Sequence, residues 1–479
     1  MRFNVHTSIT SSGLRLDFDC DGVSSTEEVV FPLDVWIVFP LSLKEQLREN
    51  LAYLSSVELA LMFKSNELSF DSPTPLFKSF LNDLFWKYFL YSGDSDCGDA
   101  LKYYPAFARM KVSFSEEAGV FSPVAPVIHL VSSNSIDSVA LARSERCVNT
   151  LTFGKESLLS FGLAREIGLN PVLFTVLDPD LDVEFRGEKV QSFTNKHLRS
   201  LAGEFEKQFD VNIHFVENGL GNLRCNVNWN LEDTDLGSAN VITEFMFLGL
   251  PFVYHYGCQY LIFGNEYSCD SSYVNKEGYT CFPAYDQSTF WMKEMNQMLG
   301  ILSYGKVKTL SLVQPLQELA VAKLLYQRYP ELAKFQMSCH ADNVYAASNR
   351  WCGHCSKCAR CYVFMKGLGF DPALVGLADM SGIEYKEYFS LFGNSSEMCA
   401  YDSAGVGREE QLFAFFLAIQ RGATGGLFDL FRALFYEEGV AREKEFREKF
   451  FTVYKPVNIP EHLWLKLKPI FEEEMGKRF

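Results

Sequence analysis

The chain has 479 residues, with 44 Lys and Arg against 60 Asp and Glu for a formal net charge of −16, and is 48% hydrophobic and 15% aromatic. That length allows about two or three domains with substantial cores, and the acidic balance argues against nucleic acid or a membrane surface and for a small-molecule partner. No apolar run approaches the roughly 18 residues of a membrane span, and Met1-Arg2-Phe3-Asn4-Val5 lacks the parts of a signal peptide, so the expected location is cytoplasmic. The 13 cysteines are then expected as reduced thiols, some binding metal, rather than as a disulfide framework.

Residues 1–135 read as an N-terminal α+β region, distinct from the rest of the chain, that helps to shape a substrate pocket. Leu14-Arg15-Leu16-Asp17-Phe18 alternates like a half-buried strand, and Val29-Val30-Phe31-Pro32 and Val35-Trp36-Ile37-Val38-Phe39 read as further strands. The pattern turns helical from Leu43, with a second, aromatic-rich helix from Leu76 to Tyr91 and a turn-rich break from Gly93 to Asp99.

Residues 140–335 alternate strand and helix. Val148 and Leu151 mark a buried strand, Leu158, Leu159, Leu163 and Ala164 recur at helical spacing, and Val172 to Val176 form the next strand. In the turn between them, Gly154 permits close backbone approach and the following helix presents its amino end, so an anion is expected there, with Lys155 as a mobile point charge and Ser157 as a hydroxyl. The spacing is not that of a Walker A loop. A helix near Lys196 to Phe209, a strand at Val211 to Val216, a helix from Val241 and a strand at Gln259 to Phe263 come next. Such alternation implies a doubly wound parallel sheet with ligands at the strands' carboxyl ends. Asp178 and the Gly264-Asn265-Glu266 turn fall at such ends. Glu266 and Asp286 are candidates for metal binding or proton transfer, set against the plainer reading of solvated loop acids. Cys269 and Cys281 could pair as two bases or be small buried thiols.

Residues 336–372 read as a metal module. Cys339, Cys352, Cys355 and Cys358 suit tetrahedral Zn2+ in a closed, structural site; Cys361, His340 and His354 are lesser alternatives. Residues 375–479 read as helical, with Leu412 to Ile419 and Leu427 to Phe435 strongly apolar.

Together these segments resemble a known superfamily. Thr152-Phe153-Gly154-Lys155-Glu156-Ser157 is similar to the Ser-Gly-Gly-Lys-Asp-Ser loop of the PP-loop ATP pyrophosphatases, which cleave ATP to AMP and pyrophosphate; Thr152, Phe153 and Glu156 depart from it. The cysteine module resembles that of the 7-cyano-7-deazaguanine synthase branch, and Trp351-Cys352-Gly353-His354-Cys355-Ser356-Lys357-Cys358 is closer to the UDP-N-acetylmuramoyl-L-alanyl-L-glutamate epimerases. Gly264-Asn265-Glu266-Tyr267-Ser268 resembles the epimerases' Gly-Asn-Glu-x-Ser, Asp286-Gln287-Ser288 their His-Gln-Tyr-Ser-Lys-Ser, and Ser311-Leu312-Val313-Gln314-Pro315-Leu316-Gln317-Glu318-Leu319 their Ser-Leu-Leu-Arg-Pro-Leu-x-Glu-Leu. The likeness spans most of residues 10–370.

The resemblance implies a PP-loop (HUP-like) sheet binding ATP and Mg2+ through Thr152, Phe153, Gly154, Lys155, Glu156, Ser157 and Asp178, with Lys155, Ser157, Glu266 and Asp286 in catalytic roles. The implied reaction is adenylation of a small-molecule carboxylate. In the epimerases the adenylated terminal L-Glu of UDP-MurNAc-L-Ala-L-Glu then loses its Cα proton; in the synthases ammonia attacks, giving an amide or nitrile. A non-catalytic nucleotide-binding protein is the remaining reading.

Overall fold

The alternating stretch at the amino end folds as an antiparallel meander of β1 (Arg2–Ile9), β2 (Gly13–Cys20) and β3 (Val23–Val30) in the computed structural model. The structure describes residues 2–92, 100–115, 145–180, 182–185, 188–224, 229, 231, 240–275, 278–341, 344–393 and 405–477. The expected turn at Gly93 to Asp99 and the boundary between the first two expected regions lie outside these residues.

The stretch from Val35, expected as a strand, is instead helix α1 (Leu33–Val38). A strand would bury alternate residues, but the buried side chains are Val35, Trp36 and Phe39, while Leu33 and Ile37 face outward, which is helical spacing. Pro32 stands at its amino end and Pro40 opens the next helix, α2 (Leu41–Met62), where proline's fixed φ favours a helical start. Strand β4 (Glu67–Phe70), helices α3 (Lys78–Tyr91) and α4 (Ala100–Arg109) and strand β5 (Lys111–Ser113) complete this part.

The βαβ core runs β6 (Arg146–Thr150), α5 (Lys155–Glu166), β7 (Asn170–Leu177), a hairpin of β8 (Asp182–Phe185) and β9 (Glu188–Gln191), α6 (Thr194–Phe209), β10 (Ile213–Asn218), α7 (Val241–Tyr256) and β11 (Tyr260–Phe263). It continues through a small hairpin of β12 (Tyr273–Val274) and β13 (Thr280–Cys281), then α8 (Thr289–Ser303) and β14 (Lys308–Ser311). One sheet of ten strands holds both parts, in the order β14-β11-β6-β7-β10-β3-β2-β1-β4-β5. It is mostly parallel; the antiparallel pairs are β1–β2, β2–β3 and the β3–β10 junction where Val30 meets Glu217. The N-terminal strands therefore extend the central sheet.

From β6 the chain winds outward through β7 and β10, then returns to place β11 and β14 on β6's other side. The β6–β11 boundary is the topological switch point, where neighbouring loops leave to opposite faces and open a crevice at the strands' carboxyl ends. Helices cover both faces, so the fold is α/β. One core holds Leu158, Phe161, Phe205 and Leu319, and the other holds Leu51, Phe85, Phe247 and Trp291.

Beyond β14 come α9 (Glu318–Arg328), α10 (Pro330–Ala333), α11 (Ser356–Leu368), α12 (Gly405–Gln420), α13 (Gly426–Leu434), α14 (Tyr436–Phe450) and α15 (Glu461–Gly476). The apolar faces of α12, α13 and α14, with Phe413, Phe428 and Phe446 buried, join the first core. Among the described residues no helix is long and apolar enough to cross a membrane.

Candidate functional site

The turns after β6 and β11 meet at the switch point. A Cβ added to Gly264 would fall 2.5 Å from the Cβ of Glu156, so only glycine lets the two turns approach this closely. Across the turn after β6, the Thr152 N–H donates to Ser157 Oγ at 3.3 Å and Ser157 Oγ donates to the Gly154 carbonyl at 3.0 Å. Phe153 has φ of +58°, left-handed backbone that a side chain disfavours. Its ring is buried edge-on against Phe205 at 5.7 Å, and its carbonyl accepts the Met337 N–H at 2.8 Å.

Lys155 does not stand over the turn as a mobile charge. It is buried and ion-paired to Glu156 and to Glu318 at the start of α9. Arg360 of α11 approaches the same Glu318 oxygen, Oε1, at 3.1 Å. Burial opposes the charge on Lys155, but Glu156 and Glu318 outweigh it and hold its pKa well above the ordinary lysine value. Glu266 lies in the same group: burial first, then repulsion from Glu156 and Glu318, pushes its carboxyl up to about 8, with Lys155 pulling the other way. The shift favours the protonated form of Glu266, which can donate a hydrogen bond or a proton.

The next residues extend the cluster. Ser268 Oγ accepts the Glu318 N–H at 2.8 Å and donates to Gln317 Oε1 at 2.7 Å. These bonds, with Glu410 Oε1 accepting the Leu319 N–H at 3.1 Å, satisfy the exposed donors at the start of α9. Cys269 is buried; burial, then Glu266, Asp270 and Asp286, push its thiol well up, and it donates to Gln287 Oε1 at 3.9 Å. Asp286 is buried near it. Cys281 donates its thiol to the Leu90 carbonyl, 3.6 Å away. Asn265 Nδ2 is a buried donor with no hydrogen-bond partner.

Asp178 is committed elsewhere. Its carboxylate accepts from Asn218 Nδ2 and from Arg224, each at 2.7 Å, and Arg224 also donates to the buried Glu244 at 2.8 Å. That network ties the ends of β7 and β10 together. The C-terminal region reaches the crevice through a strap between α14 and α15: the Tyr454 ring stacks on Tyr267 at 3.8 Å with planes 6° apart, its N–H donates to the Pro315 carbonyl at 2.9 Å, and the Val457 N–H donates to Gln314 Oε1 at 3.0 Å.

The four expected metal ligands come together. The sulfur atoms of Cys339, Cys352, Cys355 and Cys358 all lie within 4.8 Å of one another, the only such group of three or more His, Cys, Asp or Glu among the described residues. Backbone amides support them: Cys339 Sγ accepts the N–H groups of Ala341 and Cys352, each at 3.2 Å, and Cys355 Sγ accepts the Cys358 N–H at 3.4 Å at the start of α11. Four sulfur atoms gathered this closely, with amide donors beside them, fit a metal ion such as zinc. The three lesser alternatives lie outside that group. Cys361 Sγ accepts from Gln336 Nε2 at 3.6 Å and sits by Lys155, His340 Nε2 faces Lys357 Nζ at 2.8 Å, and His354 Nδ1 faces the Cys352 carbonyl at 2.7 Å.

Glu318, Arg360, Ser268 and Tyr454 are site residues that sequence reading assigned no role. Glu318 carried a signal, as a carboxylate a few residues beyond the end of the edge strand β14; Arg360 and Tyr454 carried none. No protein-family model and no curated protein matches this chain.

Proposed function

We propose that this chain is an ATP-dependent carboxylate-activating enzyme of the PP-loop kind. The observation that carries the reading is the turn Thr152–Ser157 at the switch point of a parallel sheet, facing the Glu266 turn, because open α/β sheets bind ligands there. The left-handed φ of Phe153 supports it, since the PP-loop motif has glycine at that position. So does Asn265 Nδ2, a buried donor that a polar ligand would satisfy.

In this reading the ATP phosphates lie at the amino end of α5, where the Lys155 cation offsets charge on the departing pyrophosphate and any Mg2+ carried in with ATP would supply further positive charge. A substrate carboxylate oxygen attacks the α-phosphorus, the bond from that phosphorus to the bridging oxygen breaks, and pyrophosphate leaves. Glu266, favoured in its protonated form, supplies a proton beside the acyl-adenylate and can take one back only once it has ionised, with Cys269 and Asp286 near it. Cys339, Cys352, Cys355 and Cys358 would hold Zn2+, which would tie their module to the turn through Met337, two residues before Cys339, whose N–H donates to the Phe153 carbonyl. The substrate closest to the sequence resemblance is UDP-MurNAc-L-Ala-L-Glu, epimerised at its terminal Glu; attack by ammonia to give an amide or nitrile is the alternative fate.

One observation favours a second reading, a nucleotide-binding protein without turnover: Lys155 is sequestered by two carboxylates instead of lying open to phosphate. The deciding experiment is AMP and pyrophosphate release from ATP and Mg2+ over a panel of carboxylates, including UDP-muramoyl dipeptide and, with ammonia, 7-carboxy-7-deazaguanine. Carboxylate-dependent release is expected. ATP binding without release from any compound favours the second reading, and absence of ATP binding overturns both.

A further inference from the structure

Two buried cations share one carboxylate oxygen. Lys155 Nζ pairs with Glu318 Oε1, and Arg360 Nε stands 3.1 Å from that same atom. Lys155 is 4% exposed, Glu318 2% and Arg360 9%, so water contributes little to screening any of the three. They come from three separate elements: Lys155 opens α5, Glu318 opens α9, and Arg360 lies on α11 just beyond the last metal-site cysteine. The remaining partner of Lys155, Glu156, is more open, with a side chain 22% exposed. Removing a cation from a buried carboxylate costs several kcal/mol unless a second cation replaces it. Here the second cation is already in place.

We propose that Glu318 is a latch on Lys155 and that Arg360 is its exchange partner: when an anion at the α5 turn draws Lys155 outward, Glu318 passes from Lys155 to Arg360 and is never left unpaired. Arg360 is thus a positioning residue. It acts on the anion only through Glu318, and the four-cysteine module, by fixing the start of α11, sets where Arg360 stands. The proposal rests on the reading of the α5 turn as an anion site, and it states what must move for that site to fill.

The test uses the full-length chain and two readouts. The first is the rate at which acetic anhydride labels Lys155, followed by mass spectrometry with the exposed Lys444 as internal standard. E318Q should speed labelling of Lys155 about tenfold while R360Q leaves it at the wild-type rate or below, tenfold being the loss of about 1.4 kcal/mol of retention. Labelling of E318Q as slow as wild type overturns the latch. The second is binding of inorganic pyrophosphate by calorimetry to wild type, E318Q, R360Q and the double variant. R360Q should weaken binding about tenfold, E318Q should tighten it, and the double variant should match E318Q, because Arg360 reaches the anion only through Glu318. An equal loss from R360Q in both backgrounds overturns the exchange, showing that Arg360 acts on the anion or the fold directly. Failure of the anion-site reading has a different signature, no pyrophosphate binding even by E318Q with its labelling raised. Circular dichroism of each isosteric variant confirms that it is folded.

Discussion

Phe153 is the residue at which sequence and backbone disagree, and it can be tested by itself. Alanine and glycine both remove the buried ring, a loss of about 3–5 kcal/mol, but only alanine keeps a Cβ at a φ of +58°. Phe153→Gly should therefore destabilise less than Phe153→Ala, by about 0.5–1 kcal/mol, the reverse of the usual order, in urea denaturation. Glu266 gives a second test. Its folded carboxyl titrates near 8 against 4.5 for the free side chain, so between these values the folded state holds a proton that the unfolded state has lost. Stability should fall as pH rises through that window, by at most about 1.4 kcal/mol per pH unit, and Glu266→Gln should flatten the slope. A slope unchanged in the variant would place the titration elsewhere. At this scale the sequence locates the turn but not the state of its lysine: nothing local to Lys155 announces a partner 163 positions away.

At the scale of elements, what was legible depended on how local the cause was. The four cysteines were readable because Cys-x-x-Cys turns place their sulfurs together through short-range geometry alone, and Cys361 fell out because the next turn of α11 points it toward Lys155. Val35 to Phe39 was misread because five apolar residues in a row carry no decisive period; the flanking Pro32 and Pro40 held the information. Replacing Cys355 with Ser, or stripping the metal with a chelator, should remove zinc from the purified protein and lower its melting temperature, since metal binding and folding are coupled. Unchanged stability on complete metal loss would make the site incidental to the fold. The strap makes a milder prediction. Tyr454→Ala removes a stack worth about 0.5–1.5 kcal/mol and should speed proteolysis between α14 and α15 while leaving the sheet intact.

For the molecule as a whole, strand–helix alternation announced a doubly wound parallel sheet, because parallel strands need helical crossovers, while the switch point beside β6 follows only from the strand order. Alternation could not show that the N-terminal meander joins that sheet, since the β3–β10 pairing is a long-range match of edges that no local pattern encodes. Nor could it show that residues beyond 450 return to cover the carboxyl ends of β11 and β14. The result is a crevice to which the turns after β6 and β11, the start of α9, α11 and the strap between α14 and α15 all contribute. In the proposed reaction a substrate carboxylate attacks ATP there, and the most direct measurement follows an oxygen atom. A substrate labelled with oxygen-18 in its carboxylate is turned over with ATP and Mg2+, and the AMP is weighed by mass spectrometry. Oxygen-18 in the AMP phosphate is the predicted result, because the attacking oxygen stays on phosphorus when the adenylate is broken down at its carbonyl carbon. Unlabelled AMP, formed at the same rate with or without the carboxylate, would contradict carboxylate activation.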